Sequence, residues 1–263
     1  MPKRGEIKDR TGEIGYTRFG TLMKIVEYKD SHNIMVEFQD KYKVKVHTGY
    51  NNFKKGAVYN PYDKSVYSVG YIGEGKYNWK DNFEIYKEWK SMLSRCYDPY
   101  RLNKYPTYID VTVCKEWYNF QNFCKWYEEN YYEIGKGRMH LDKDILLKGC
   151  KIYSPETCMF VPERINYLLL KNDGLRGELP IGCGYFSNKT KIKVRCQILK
   201  EDGERKREHL GVFPSNRPFQ AFTVYKNFKE NYIKEVADEY YSKGLIPKKL
   251  YDALYKYEVE IND

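Results

Sequence analysis

The sequence lacks a long apolar run, an apolar core near its amino terminus and any Cys-x-x-Cys pair. A membrane-spanning helix needs about 20 consecutive apolar residues, and a secretory signal needs a shorter apolar core behind its basic start. The seven cysteines are an odd number, which suits reduced thiols better than a disulfide framework. These absences predict a cytoplasmic protein that has no membrane partner.

A structural zinc site is one alternative for the cysteines. Four of them could supply thiolates to zinc: Cys96, Cys114, Cys150 and Cys158. Their spacing lacks the short knuckles that structural zinc sites usually have. Buried structural thiols are the favoured alternative.

The composition predicts a folded, basic protein. Hydrophobic residues make up 41% of the 263 residues and aromatic residues 17%, enough for a sizeable core in one large domain or two to three compact ones. Lys and Arg outnumber Asp and Glu by 46 to 36, giving a net charge of +10. Such an excess favours a polyanionic partner, above all nucleic acid, although charge that only aids solubility is the alternative.

The first part of the chain, residues 1–77, predicts β-structure. Runs rich in Val, Ile, Tyr and Phe at residues 20–28, 34–40 and 42–50 are typical of strands, and Asp40 with Lys41 predicts a hairpin turn. Turn residues close the segment. We expect a small β-barrel-like segment here.

Two amphipathic helices are predicted next. Apolar residues recur at spacings of three or four, first at Phe83, Tyr86, Trp89, Leu93 and Cys96, then at Trp117, Phe120, Cys124, Tyr127 and Tyr131. That period is typical of a helix. An aromatic stripe of this kind is more often core than a platform for stacking bases, so both stripes are interpreted as packing.

A basic strand is the sharpest electrostatic feature. Four cations, Lys189, Lys191, Lys193 and Arg195, alternate with Thr190, Ile192, Val194 and Cys196, so that one strand face is basic and the other mostly apolar. Past a turn at Gly203, the chain adds Arg205, Lys206 and Arg207. Such a ribbon fits the major groove of double-stranded DNA, and the alternative is a solvated edge that resists pairing.

A long helix is predicted to back this sheet. Pro218 would lie in its first turn, with Ser215 and Asn216 as caps. Its apolar side would comprise Phe222, Tyr225, Phe228, Tyr232, Val236 and Tyr240.

Residues 140–166 hold the candidate chemistry. If residues 141–147 form a strand, His140, Asp142 and Asp144 share one face and Lys143 takes the other. A helix after Pro162 would place Asn166 in its second turn, where Asp142 and Asn166 could hold one Mg²⁺ or Mn²⁺. In the alternative, Asp142 pairs with Arg138 or Lys143 and Asn166 caps a turn.

The order of motifs between residues 89 and 166 resembles the HNH-like (ββα-metal) homing-type endonucleases of bacteriophages. The matching patterns are W-x-x-M-L-x-R-C-Y at residues 89–97, a tyrosine pair at Tyr105 and Tyr108, V-C-x-E-W at 113–117, F-x-x-F at 120–123, L-D-K-D at 141–144, Y-S-P-E-x-C-x-F-V-P at 153–162 and Asn166. Residues 182–240, with E-H-L-G-V-F at 208–213, look like a divergent APETALA2-type DNA-binding domain.

These resemblances imply an α+β fold: a small N-terminal β-barrel-like segment (1–77), a central HNH-like ββα-metal domain (78–171) and a C-terminal three-stranded sheet plus helix (180–263). Asp142 and Asn166 match the family's metal ligands. Lys143 stands where the family's general-base His can stand, and Thr157 where a turn-stabilising Asn is common.

Two hypotheses follow from the residues and the resemblance. The first is a phage-encoded, Mg²⁺- or Mn²⁺-dependent endonuclease that binds double-stranded DNA in the host cytoplasm and takes its base from His140 or Lys143. The second is a catalytically inactive relative that binds DNA or a host protein as a regulator or anti-defence factor. A homodimer is left open.

Overall fold

The computed structural model describes residues 8–135, 137–169, 178–200, 203–261 and 263. They contain both helices and antiparallel sheets, which confirms the α+β class. The chain forms two compact units, one ending at Glu129 and the other beginning at Asn130. The three-domain division stays a prediction, and its boundary loop at residues 171–180 lies largely outside the described residues. No helix in the described ranges is long and apolar enough to cross a membrane.

The first unit begins with a four-stranded antiparallel sheet in the order β1 (Ile14–Tyr16), β2 (Leu22–Asp30), β3 (Asn33–Phe38) and β4 (Lys45–Thr48). Asp40 Oδ1 accepts hydrogen bonds from the backbone N–H groups of Tyr42 and Lys43, so the predicted hairpin turn is confirmed.

The expected barrel does not close in the part of the chain that the structure describes, because β1 and β4 remain the two edges of the sheet. A short helix, α1 (Tyr50–Lys54), covers the apolar face instead, and its Phe53 packs with Met23, Ile25 and Val36. A Cβ atom added at Gly15 would lie 3.1 Å from Phe53 Cζ. This close approach lets the Phe53 ring fill the space that further strands of a barrel would enclose.

Helices complete the first unit: α2 (Phe83–Tyr97), α3 (Pro99–Lys104) and α4 (Phe120–Asn130), with the short strand β5 (Thr112–Val113) between α3 and α4. Trp89 is fully buried and donates a hydrogen bond from Nε1 to the Trp117 carbonyl at 2.7 Å, which confirms the packing role of both stripes. Phe83, at the start of α2, is an exception and is 50% exposed. The predicted second helix begins late, because Lys115–Tyr118 is a 3-10 turn.

The second unit starts with two paired strands and a helix. Strand β6 (Met139–Asp142) pairs antiparallel with β8 (Met159–Pro162), and α5 (Glu163–Leu168) follows β8 directly; β7 (Ile152–Tyr153) lies in the connection. The expected strand over residues 141–147 therefore ends at Asp142. The reason is that Asp142 Oδ1 accepts hydrogen bonds from the N–H groups of Asp144 and Ile145, both at 2.8 Å, and turns the chain.

The rest of the second unit is a three-stranded antiparallel sheet with a long helix. The strands β9 (Cys183–Tyr185), β10 (Lys191–Leu199) and β11 (Arg205–Pro214) lie in the order β11-β10-β9, as expected for this region. Helix α6 (Pro218–Ser242) packs on their apolar face, and α7 (Lys248–Tyr255) follows. Pro218 occupies the first turn of α6 as predicted, but Arg217 stands at the N-cap in place of Ser215 or Asn216.

Helix α6 serves two cores of the second unit. Its first half packs Ala221 and Tyr225 against Ile192, Val194 and Cys196 of β10. Its second half packs three buried residues, Ile233, Val236 and Ala237, against Ile165 and Leu168 of α5. The strand-strand-helix region and the three-stranded sheet therefore share one helix.

Candidate metal centre and nucleic-acid face

His140 and Asp142 project from the same face of β6, as the alternation predicts, and both are half-buried. Their partners across the strand pair are Val161 and Met159, and directly opposed residues in an antiparallel pair share a face. Val161 and Met159 belong to one core cluster with Ile165 and Leu168 of α5. Helix α5 therefore lies over the face that carries His140 and Asp142.

Asn166 lies in the second turn of α5 and is half-buried, between the core residues Ile165 and Leu168. It is three positions after Glu163, about one helical turn. Because α5 contacts both β6 and β8, the helix that holds Asn166 and the strand that holds Asp142 belong to one strand-strand-helix unit. The structure thus brings two antiparallel strands and the following helix together around these candidate residues.

The surroundings of Asp142 act on its ionisation in opposite directions. Burial raises the pKa of the Asp142 carboxyl above its ordinary value, while the N–H groups of Ile145 and Asp144 favour the carboxylate. Both of these hydrogen bonds use Oδ1. A divalent cation would favour the ionised form further, since metal ligands bind deprotonated.

Lys143 follows the end of β6 and forms its hydrogen bonds within the turn after the strand. Its side chain is 9% exposed, and Nζ donates to Asp144 Oδ2 at 2.7 Å and to the Cys150 carbonyl at 2.6 Å. An ammonium that donates to a carboxylate and a carbonyl has no lone pair with which to accept a proton. Lys143 forms its ion pair with Asp144. Asp144 lies beyond the end of β6, so the strand alternation that was expected to place it with His140 and Asp142 does not extend to it.

Thr157 takes part in the turn that leads into β8. Its hydroxyl donates to the Ile152 carbonyl at 2.8 Å and accepts from the Ser154 N–H at 3.1 Å. The Thr157 and Cys158 N–H groups both donate to the Ser154 carbonyl. The Thr157 hydroxyl thus supplies hydrogen bonds that hold this turn, at the position where an Asn is common in the family named above as a resemblance.

The donor atoms fit a magnesium-type site better than a zinc site. Asp142 supplies carboxylate oxygen and Asn166 amide oxygen, and Mg²⁺ is commonly held by one or two protein oxygens together with water and phosphate oxygens. No group of three or more His, Cys, Asp and Glu side chains that could hold a metal occurs within the described residues. All four cysteines considered for zinc are described: Cys96, Cys150 and Cys158 are buried, and Cys114 is half-buried.

A basic face lies on the three-stranded sheet. Lys191, Lys193 and Arg195 alternate along β10 with the buried residues Ile192 and Val194, as predicted. Two residues of β11, Arg205 and Arg207, lie opposite Leu199 and Gln197, which continue the same face. We define the basic face as Lys191, Lys193, Arg195, Arg205 and Arg207.

Two of the predicted DNA-binding residues lie off this face. Lys189 is in the turn before β10, with a left-handed backbone (φ 53°), because the strand begins only at Lys191. Lys206 lies opposite Ile198 and alternates to the other side of β11, where its ammonium forms an ion pair with Glu208 at 2.5 Å. The basic face is therefore narrower than the run of basic residues suggests.

The basic face approaches the candidate metal centre at one end. The Arg205 guanidinium lies over the Tyr167 ring, 5.0 Å from its centroid, and Tyr167 is the residue after Asn166. Arg164, on the same helix, donates from Nε to the carbonyl of Leu199, the last residue of β10. Helix α5 thus joins Asn166, the candidate metal ligand, to the end of the basic hairpin.

Sequence reasoning missed two residues beside this centre. Tyr257 packs against the core cluster that contains Met159 and Val161, and burial together with the carboxylates of Asp263 and Asp142 raises the pKa of its phenol. Arg164 forms an ion pair with Glu239, in which Nη1 donates to both carboxylate oxygens. Neither has a signal in the local sequence, because their partners lie far along the chain.

Comparisons of the chain with family models, curated proteins and solved structures find no match.

Proposed function

We propose that this protein is a DNA endonuclease that hydrolyses a phosphodiester with one divalent cation, Mg²⁺ or Mn²⁺, held by Asp142 and Asn166. The observation that carries the proposal is the packing of α5 over the face of β6 from which His140 and Asp142 project. The ordered motifs between Trp89 and Asn166 support it.

The basic face would hold the substrate. Its five cations lie on a β-ribbon, a shape that the major groove of B-DNA admits, and Lys and Arg there reach phosphates and guanine edges. Neutralising phosphates releases counterions, so binding should weaken steeply with salt. Double-stranded DNA is therefore the proposed partner.

His140 is the proposed general base. It shares the face of Asp142, whereas the ammonium of Lys143 already donates to Asp144 and to the Cys150 carbonyl. One imidazole nitrogen accepts a proton from water, the water oxygen bonds to phosphorus, and the bond from phosphorus to the leaving oxygen breaks. The cation supplies electrostatic stabilisation of the developing charge on phosphate and leaving oxygen.

Supercoiled plasmid incubated with the protein and Mg²⁺ or Mn²⁺ tests the proposal. We expect nicked or linear product with the wild type and a loss of at least about a hundredfold in rate for Asp142→Ala and Asn166→Ala. Asp144→Asn is the matched control, because Asp144 is next to the centre but binds Lys143. It should retain cleavage.

Absence of cleavage with either metal, by folded protein that binds the plasmid, would overturn the nuclease proposal. Cleavage that Asp142→Ala leaves unchanged would equally overturn the assignment and point to a contaminating nuclease.

A non-catalytic DNA-binding protein is the second candidate function. Lys143, which stands where the resembling family can have its base, is buried and holds the turn together through Asp144 and Cys150. Titration with Mn²⁺, followed by calorimetry or electron paramagnetic resonance, separates the two. The second candidate predicts that the protein binds duplex DNA but shows no Mn²⁺ binding that is lost in Asp142→Ala.

A further inference from the structure

Arg164 occupies the junction between α5, α6 and the basic hairpin. Its side chain is 12% exposed. Nη1 donates to both carboxylate oxygens of Glu239 on α6, at 2.7 and 2.8 Å, and Nε donates to the Leu199 carbonyl at 2.8 Å. One guanidinium therefore fixes three elements relative to one another.

The end of β10 receives a second anchor from α6. The Tyr232 hydroxyl donates to the Leu199 carbonyl at 2.8 Å and accepts from the Leu199 N–H at 3.1 Å. The Leu199 carbonyl thus accepts hydrogen bonds from both Arg164 and Tyr232. The last residue of the strand that carries Lys191, Lys193 and Arg195 has little freedom to move relative to α5.

Stability alone does not explain this ion pair. Burying two charges costs desolvation that the Coulomb attraction barely offsets, and apolar replacements of buried pairs are often neutral or stabilising. Apolar contacts between α5 and α6 already exist, through Ile165 and Leu168 against Val236. What the guanidinium adds is direction, since its planar group holds the N–H groups of Nε and Nη1 at a fixed angle, one toward Leu199 and the other toward Glu239.

We propose that Arg164 is a positioning residue that holds Asn166 at a fixed distance and angle from the basic face. A duplex bound on that face then presents one phosphodiester, at a constant number of base pairs from the docking site, to Asp142 and Asn166. The inference rests on the proposed function, and it predicts a fixed spacing between the bound sequence and the reacting bond.

A charge-swapped variant separates positioning from stability. In Arg164→Glu with Glu239→Arg the ion pair can form again, but a carboxylate at position 164 cannot donate to the Leu199 carbonyl. Lys248→Met is the matched control, because it removes an exposed ion pair with Asp252 on α7, away from the hairpin. Thermal unfolding of both variants establishes that they fold.

The readout does not need the protein's own chemistry. An iron–EDTA chelate is coupled to the thiol introduced by Glu163→Cys, an exposed position beside Arg164, and cuts nearby DNA with radicals. The DNA is a duplex selected from a random pool by binding to the wild-type protein in EDTA. Protein without the added thiol, treated alike, gives the background from the native cysteines.

We expect one sharp cluster of cuts on each strand in the wild-type background and in Lys248→Met. In the swapped variant the cuts should spread over more positions, while the Kd for the duplex stays within about twofold. In plasmid assays, the swapped variant should lose kcat without a matching loss of DNA affinity.

Three results overturn the inference: a swapped variant with the same sharp pattern, a swapped variant whose DNA affinity falls with its cleavage, and a wild type whose cuts are already diffuse. Failure of the proposed function looks different. A wild type that never cleaves plasmid, yet shows a sharp pattern that the swap spreads, retains the positioning role and loses the nuclease assignment.

Discussion

Arg195 of β10 lies directly opposite His209 of β11, immediately after a shift in strand register. The shift leaves Leu210 as an extra residue on β11, and Leu210 packs into the core beneath the sheet. β-Bulges increase local twist and redirect side chains. Here Lys191, Lys193 and Arg195 of β10 keep their alternation, so the basic face continues across the irregularity.

The basic face predicts a measurable salt dependence of DNA binding. Replacing Lys191, Lys193 and Arg195 together by Gln should weaken duplex binding for every sequence tested. Each phosphate contact contributes about 0.9 to the slope of log K against log salt, so the slope should fall by about two to three units. Fluorescence anisotropy at several salt concentrations measures it.

Lys206→Gln is the control for that series, because Lys206 lies on the opposite side of β11 and is paired with Glu208. It removes one positive charge from the same hairpin and should leave the slope nearly unchanged. A loss of about one unit of slope in Lys206→Gln, the same loss per charge as in the triple variant, would mean that overall charge, and not this face, binds DNA.

Substituting the two candidate bases should have different effects: replacing His140 should lower activity, and replacing Lys143 should lower stability. His140→Gln is expected to lower the cleavage rate by about 10²- to 10⁴-fold while the unfolding transition stays in place. Lys143→Met leaves the buried Cys150 carbonyl without its donor, so the free energy of unfolding should fall by about 1–3 kcal/mol. Plasmid cleavage and urea unfolding give the two quantities.

The reverse pattern would reassign the base. Suppose that Lys143→Met abolishes cleavage without lowering the free energy of unfolding, and that His140→Gln leaves the cleavage rate unchanged. The ammonium would then take part in the reaction, and the geometry of the bound complex must differ from the one described.

The spacing of apolar and charged residues along the sequence correctly predicted several strands and helices. The alternation of Lys191, Lys193 and Arg195 located a strand, and the spacing of Tyr225, Tyr232 and Val236 located the long helix α6. The face shared by His140 and Asp142 followed from the same rule. Each depends only on neighbours within a few positions, which is the range over which strand and helix periods act.

The rest depended on contacts that no local pattern encodes. Arg164 binds Glu239, and Tyr257 packs against the cluster that contains Met159 and Val161, across large separations in the chain. The end of β6 also escaped prediction, since the Asp142 side chain competes for the backbone N–H groups that a longer strand would use. Side-chain hydrogen bonds of this type end a strand that hydrophobic alternation would extend.

Thr157 predicts a test of the turn before β8. Thr157→Val removes the hydroxyl that binds Ile152 and Ser154 but keeps the shape, and should lower the free energy of unfolding by about 1–2 kcal/mol. Thr157→Ser keeps the hydroxyl and should recover most of that loss. Equal stability of both variants would show that the hydroxyl contributes nothing. Urea unfolding followed by tryptophan fluorescence compares the three proteins.

The cysteines should react slowly in the folded protein. Burial raises the pKa of Cys183 to about 11 and those of Cys124 and Cys158 to about 12. The thiolate is the nucleophile, so a thiol of pKa 11 is ionised to only about one part in a thousand at pH 8. The alkylation rate of native Cys183 should therefore rise about tenfold per pH unit below its pKa, whereas guanidinium should expose all seven cysteines at once.

Iodoacetamide labelling, with peptides quantified by mass spectrometry, measures each rate, and the thiol introduced by Glu163→Cys provides an exposed reference in the same sample. Alkylation of native Cys183 at pH 8 as fast as this reference would show that β9 opens readily or that its thiol is not shielded. Slow native labelling is also what allows a chelate to be placed selectively beside Arg164, since the introduced thiol then reacts before the buried ones.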